Sequence, residues 1–235
     1  MCLDGVDSMT GNSPDLPLLA RVCRERGATL YVDDTHGFGV IGERSQSEPC
    51  PYGSRGNSVV RHTGESYDGI VLVGGFSKAY SSLLAFLALP TPLKDRLKVA
   101  AGPYLYSGPS PTASLATVLA GLDVNERRGD EIRADLYRKT LRVVEHVHAL
   151  GLDTPCEQGF PIVELPLADD GDLDEAVRLL WDRGIYVTVA AYPLVPRDRV
   201  GFRAQITALN SDEDIDRLDD TLTLLAERGA LRLKR

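Results

Sequence analysis

Residues 67 to 76, YDGIVLVGGF, hold a continuous apolar run, and residues 28 to 34, ATLYVDD, hold a second that ends on two adjacent carboxylates. A strand with one solvated face alternates apolar and polar side chains, whereas an unbroken apolar run belongs to a strand covered on both faces. Two such strands commit the chain to an α/β fold with a mostly parallel sheet. Ahead of the first, Ser13-Pro14 and DLPLLARVCRERG read as cap, opening turn, helix and Gly27 stop, with Leu16, Leu19 and Cys23 on one face. The stretch from Glu43 to about Ser66, rich in Pro, Gly and Ser, reads as a surface excursion.

A helix is expected around Pro92 to Ala100. SLATVLAGLDV begins another, and EIRADLYRKTLRVVEHVHALG carries Ile132, Leu136, Val143, Val147 and Leu150 at helical spacing. Beyond Gly151 the pattern becomes β-α-β-β-α, and Ser211 with Asp214 forms a capping-box pattern. The expected division is residues 1–151, part of a large domain, and residues 152–235, a smaller α/β domain.

With 235 residues and 43% hydrophobic content the chain can bury a core. Its formal net charge of −8 argues against a nucleic-acid groove or an anionic membrane surface, both of which need clustered Lys and Arg. No apolar run approaches the roughly 18 residues of a spanning helix, and MCLDGVDSM lacks the basic and apolar regions of a signal peptide, so the expected location is the cytoplasm. Cys2, Cys23, Cys50 and Cys156 form no CxxC pair and are expected to be buried reduced thiols.

Chemistry concentrates where the two apolar runs end. GFGVIG, residues 37 to 42, matches the dinucleotide fingerprint, but that motif must open a helix, and Pro49 and Pro51 follow too soon for a long one. Turn glycines beside a ligand fit better. Lys78 follows IVLV through Gly74, Gly75, Phe76 and Ser77, which puts it near the carboxyl edge of the sheet, where open α/β sheets bind ligands. By base rate such a lysine is a solvated loop residue, but Asp33 and His36 hold the equivalent place after the other strand. A metal would use Asp33 and His36 and leave Lys78 without a role, and His62, His146 and His148 lie on no ligand spacing, so no metal is expected. Pyridoxal phosphate employs all three, since its aldehyde condenses with an amine and its ring nitrogen needs a carboxylate to stay protonated.

The segments DGVDSMTG, YVDDTHGFGVIGE, GGFSKAYSS, YLYSGPSP, AYPLVP and FRAQITALNSDEDIDRL resemble, in order and spacing, the α-oxoamine synthases, pyridoxal-phosphate enzymes of the type I aminotransferase fold. The resemblance implies that Lys78 takes the cofactor aldehyde and moves protons at the substrate Cα. It implies that Asp33 pairs with the pyridine nitrogen, that His36 bonds the phenolic oxygen, and that Ser8 lies against the same region. Arg203 would hold the amino-acid carboxylate through its guanidinium fork. Ser107 matches a segment that reaches the phosphate of a neighbouring subunit, which implies a homodimer. Gly75 stands where the family usually has a phosphate-binding Thr or Ser, Gly108 replaces a common threonine and Asn210 a common histidine; Ser77 and Ser107 are the hydroxyls that could compensate.

The resemblance also implies a longer N-terminal portion with a phosphate loop and a ring-stacking histidine. The chain is therefore expected to be a fragment, a mis-started frame or one piece of a split enzyme completed by another chain. The implied reaction is decarboxylative condensation of a small α-amino acid with an acyl thioester, on coenzyme A or a carrier protein, to an α-amino ketone. An aminotransferase or aldolase on the same fold, or a non-catalytic partner, are the alternatives.

Overall fold

A computed structural model describes every residue except Gln46 and Arg235, so Gln46, inside the expected excursion, lies outside the described residues. The chain forms two compact units, Met1–Val6 with Ser13–Arg133, and Asp7–Asn12 with Ala134–Arg235.

The first unit is built on a four-stranded sheet. In chain order it comprises β1 (Cys2–Asp4), α1 (Leu16–Glu25), β2 (Leu30–Asp33), α2 (Val59–His62), β3 (Ile70–Gly75), β4 (Ala85–Ala88), α3 (Thr91–Ala100), α4 (Gly102–Tyr106) and the first part of α5 (Thr112–Ala149). Strand order is β1-β2-β3-β4; the first three run parallel and β4 is antiparallel to β3. Asp33 lies opposite Val73, so β2 and β3 finish almost level at the same edge. β3 buries Ile70, Val71 and Leu72 and so both of its faces, as an uninterrupted apolar strand requires, whereas β2 buries Leu30 and Val32 but leaves Tyr31 39% exposed, so one face of that strand is open, contrary to the expectation. Helix α1 starts as the sequence indicates, although its N-cap is Asp15, whose side chain accepts from the Leu18 N–H at 3.1 Å, rather than Ser13.

Two expectations change. The 43–66 stretch is not purely a surface excursion: Cys50, Tyr52, Ser58, Val59 and Val60 are buried, and Ser58 caps the short α2. Its apolar residues fold inward between polar neighbours that dominate the composition. Among the cysteines, Cys23, Cys50 and Cys156 are buried and unpaired, but Cys2, in β1, is exposed.

The two C-terminal helical patterns of the large segment join in one 38-residue helix, α5, with Leu136, Val143 and Val147 buried. Its early part is different. Helices α3 and α4 bury no residue, and Val99, Tyr104, Tyr106 and Leu119 are 74%, 63%, 90% and 68% exposed. Most large apolar side chains of this stretch face outward, Val118 being the buried exception and Leu97 half-buried.

The second unit comprises the rest of α5, then β5 (Ile162–Pro166), α6 (Leu173–Asp182), β6 (Thr188–Ala190), β7 (Gly201–Gln205) and α7 (Asp212–Glu227). Its antiparallel sheet has the order β5-β7-β6, and all five residues of β5 are buried. The capping box read from the sequence is present: Ser211 Oγ accepts from Asp214 N–H at 3.1 Å, and Asp214 accepts from Ser211 N–H at 3.0 Å. Among the described residues, no helix is long and apolar enough to cross a membrane.

Candidate active site

Strand β2 delivers Asp33 to the carboxyl edge of the first sheet. There the chain turns, because Asp33 Oδ1 accepts the Thr35 N–H at 3.0 Å, the local closure by which an Asp folds its own backbone two residues on. The Thr35 hydroxyl donates to the same oxygen at 2.6 Å. Both bonds fall on Oδ1, and among the described residues nothing donates to Oδ2, which leaves that oxygen for a ligand. His36 follows, half-buried in the turn.

Asp34 points the other way, as strand alternation dictates. It is completely buried, and its Oδ2 accepts the Val59 N–H at 2.9 Å. Burial pushes its carboxyl up to about 7, against the lowering effect of the Val59 N–H and with a further rise from the charge on Asp33. Space around it exists only because Gly37 and Gly5 carry no side chain; a Cβ would approach Asp34 Oδ1 to 2.2 Å and 2.7 Å respectively. GFGVIG forms turns and no helix, with Gly39 at φ +89, so it opens no dinucleotide site.

On the neighbouring strand, β3 ends at Gly75 and a tight reversal carries Ser77 and Lys78, both exposed. Phe76 and Tyr80, two residues to either side of Lys78, are buried against Val118 with Phe38 and Phe86 packed on them, the Phe76 and Tyr80 rings 5.2 Å apart. The lysine is thus an exposed side chain on an anchored turn. Ser107 is exposed at the end of α4.

Ser8 and Arg203 belong to the second unit. Arg203 is buried in β7, opposite Glu164 of β5, and one terminal nitrogen donates to the Ser8 carbonyl. Its Nε has no partner among the described residues. Burial lowers its pKa, opposed by the nearby Asp7 carboxylate. Asp7 also accepts from the N–H groups of Met9 and Thr10 at 3.0 and 2.7 Å and from the Thr10 hydroxyl at 2.9 Å, and so shapes the backbone that presents Ser8.

The first unit therefore brings Asp33, His36, Ser77 and Lys78 to the ends of adjacent parallel strands, and the second joins Ser8 to Arg203. Thr35 and Asp7 escaped the sequence reading. Their signal was the Asp-x-Thr and Asp-x-x-Thr spacing, which lets a carboxylate gather nearby backbone N–H groups.

An α/β sheet that presents an acid and an amine at neighbouring strand ends is an arrangement compatible with a pyridoxal-phosphate-dependent transferase, and the family match gives the class. The aminotransferase class I and II family matches residues 1–222. The chain is 33% identical over 222 residues to 8-amino-7-oxononanoate synthase of Pseudomonas syringae pv. syringae, covering 93% of this chain and 52% of that protein. It is 34% identical over 220 residues to the enzyme of the same name from Pseudomonas paraeruginosa, again covering 93% and 52%. Serine palmitoyltransferase of Sphingomonas wittichii superposes with a TM-score of 0.81 at 25% identity, covering 97% of this chain and 54% of that one. The fold is shared too with 8-amino-7-oxononanoate synthase of Francisella tularensis, at a TM-score of 0.76 and 20% identity, with 97% and 62% covered. The chain belongs to the aminotransferase class I and II family, in its pyridoxal-phosphate-dependent α-oxoamine synthase branch. It spans about half the length of the curated relatives it matches.

Proposed function

We propose that this chain carries the lysine-bearing part of an α-oxoamine synthase, which condenses a small α-amino acid with an acyl thioester and releases carbon dioxide to give an α-amino ketone. The observation that carries the reading is the pairing of Asp33, with Oδ2 unengaged, and Lys78, with its amine exposed, at the ends of adjacent parallel strands. That donor set fits pyridoxal phosphate. When bound, the cofactor supplies a protonated ring that draws electron density from the substrate Cα.

In this reading Asp33 holds the proton on the ring nitrogen, an opposite charge stabilising the cationic form. His36 donates to the phenolic oxygen. Lys78 binds the cofactor aldehyde and afterwards takes or returns the proton at the substrate Cα, as a general base should from hydrogen-bond reach. Ser77 and Ser107 offer hydroxyls to the phosphate, and Ser8 lies beside the ring. Arg203 receives the amino-acid carboxylate, its guanidinium held by the Ser8 carbonyl with nitrogen donors to spare. In the overall reaction the Cα–H bond breaks, a C–C bond forms between the substrate Cα and the acyl carbon as the C–S bond breaks and the thiolate departs, and the Cα–carboxylate bond then breaks to release carbon dioxide, with a proton returned to Cα.

The outward-facing apolar side chains of α3, α4 and early α5 support a partner, either a second copy or a chain carrying the remaining half of the fold. Residues 1–151 would then be the later part of the cofactor-binding domain and 152–235 the small domain. A cytoplasmic setting is part of the same proposal.

Titrating the purified protein with pyridoxal phosphate tests the cofactor assignment. A visible absorption band should form in the wild type and not in Lys78→Ala. A band of equal intensity in both would remove Lys78 from its role.

A further inference from the structure

Thr35 stands in a place that only a glycine on the neighbouring strand leaves open. A Cβ built on Gly75 would lie 2.5 Å from both Cγ2 and Oγ1 of Thr35 and 2.8 Å from its Cβ. Those distances are far inside van der Waals contact, so the Thr35 side chain and any side chain at position 75 exclude one another. In that space the Thr35 hydroxyl donates to Asp33 Oδ1 at 2.6 Å while its N–H donates to the same atom at 3.0 Å. Two donors on one oxygen fix the torsion of a carboxylate, and hydrogen bonds to a charged acceptor are among the stronger ones.

We propose that Thr35 is the positioning residue of the Asp33 carboxylate, locking Oδ1 so that Oδ2 faces the cofactor ring, and that Gly75 is the vacancy that admits it. This rests on the assignment of Asp33 to the ring nitrogen. The hydroxyl near this strand end is committed to the acid rather than to the phosphate. Preorganisation is the gain, since an acid already in its bound orientation loses no rotamer freedom when the ring arrives.

The test is pyridoxal phosphate affinity, read from the visible band in wild type, Asp33→Asn, Thr35→Val, Thr35→Ser, Gly75→Thr and the Asp33→Asn/Thr35→Val double variant. Thr35→Val keeps the shape and removes the donor, and should weaken binding about tenfold. Thr35→Ser should restore affinity to within about threefold of wild type. In the Asp33→Asn background Thr35→Val should add nothing, because the residue acts through the acid. Gly75→Thr adds a hydroxyl yet should weaken binding, because it displaces Thr35. Wild-type affinity in Thr35→Val, or tighter binding in Gly75→Thr, overturns the proposal while a band that depends on Asp33 leaves the cofactor reading standing. A folded wild type that gives no band overturns both.

Discussion

The Val59 N–H donates to Asp34 Oδ2 at 2.9 Å, and the other oxygen of that buried carboxylate has no partner among the described residues. One oxygen is satisfied and one is not, in a site too tight for a Cβ on Gly5 or Gly37. The neutral acid suits this environment better than the anion.

Stability should therefore depend on pH through Asp34. Its carboxyl lies near 3.8 when unfolded and about 7 when folded, so the folded state binds the proton more tightly. The contribution is fully present below about pH 3.8 and is lost as pH rises through about 7, amounting to a few kcal/mol in order of magnitude. Asp34→Asn keeps an acceptor for Val59 and removes the titration. Urea midpoints of wild type and variant should diverge in the variant's favour between about pH 4 and pH 7 and run parallel above; a constant gap across that range would assign the pH dependence elsewhere.

Arg133 is 3% exposed and fastens the turn after Asp33 to α5. It donates to the Gly39 carbonyl at 3.2 Å and Asn125 Oδ1 at 2.6 Å, and pairs with Asp130, which itself accepts from Arg55 N–H at 2.9 Å. Arg133→Met fills similar volume but strands these acceptors, so it should cost about 2–4 kcal/mol in urea unfolding. A loss under about 0.5 kcal/mol would mean water replaces the guanidinium without penalty.

Arg203→Lys should spare the fold and weaken amino-acid binding about tenfold or more, because a point charge replaces a planar fork. Spectral titration of the cofactor-loaded protein with glycine, L-alanine and L-serine would measure it. Equal affinity in both proteins would move the carboxylate site away from β7.

Lys78 offers a covalent check. Reducing the loaded protein with borohydride should leave the phosphopyridoxyl mass on the peptide containing Lys78, identified by mass spectrometry. Label on Lys94 or Lys98 instead would point to surface modification. Because Lys78 is exposed, Lys78→Ala should shift stability by no more than about 0.5 kcal/mol.

The sheet was legible because burial on both faces of β3 writes itself as an unbroken apolar run, although the same signal in β2 overstated burial where Tyr31 stays exposed, and the ends of IVLV and LYV mark where a parallel sheet presents its edge. Asp33 and Lys78 could be located at that edge from position alone. The contact of Thr35 with Gly75 could not, since it depends on the β2–β3 register, which neither strand encodes by itself. Tyr52, Val59 and Val60 were hidden by the Pro, Gly and Ser around them, whose signal describes a loop's backbone and not its side chains. The burial of Arg133 was illegible for a similar reason: its partners lie on the Gly39 turn and on its own helix, and composition marks an arginine as surface.

The reversal that carries Lys78 is tied at its legs: Phe76 N–H donates to the Leu84 carbonyl at 2.9 Å, and Ser82 N–H to the Phe76 carbonyl at 2.8 Å. In hydrogen exchange the amides of Phe76 and Ser82 should stay protected while those of Ser77, Lys78 and Ala79 exchange quickly. With Lys78 exposed beyond the last paired residue of β3, an aldehyde arriving from solvent would meet the amine with no strand of the sheet having to open first.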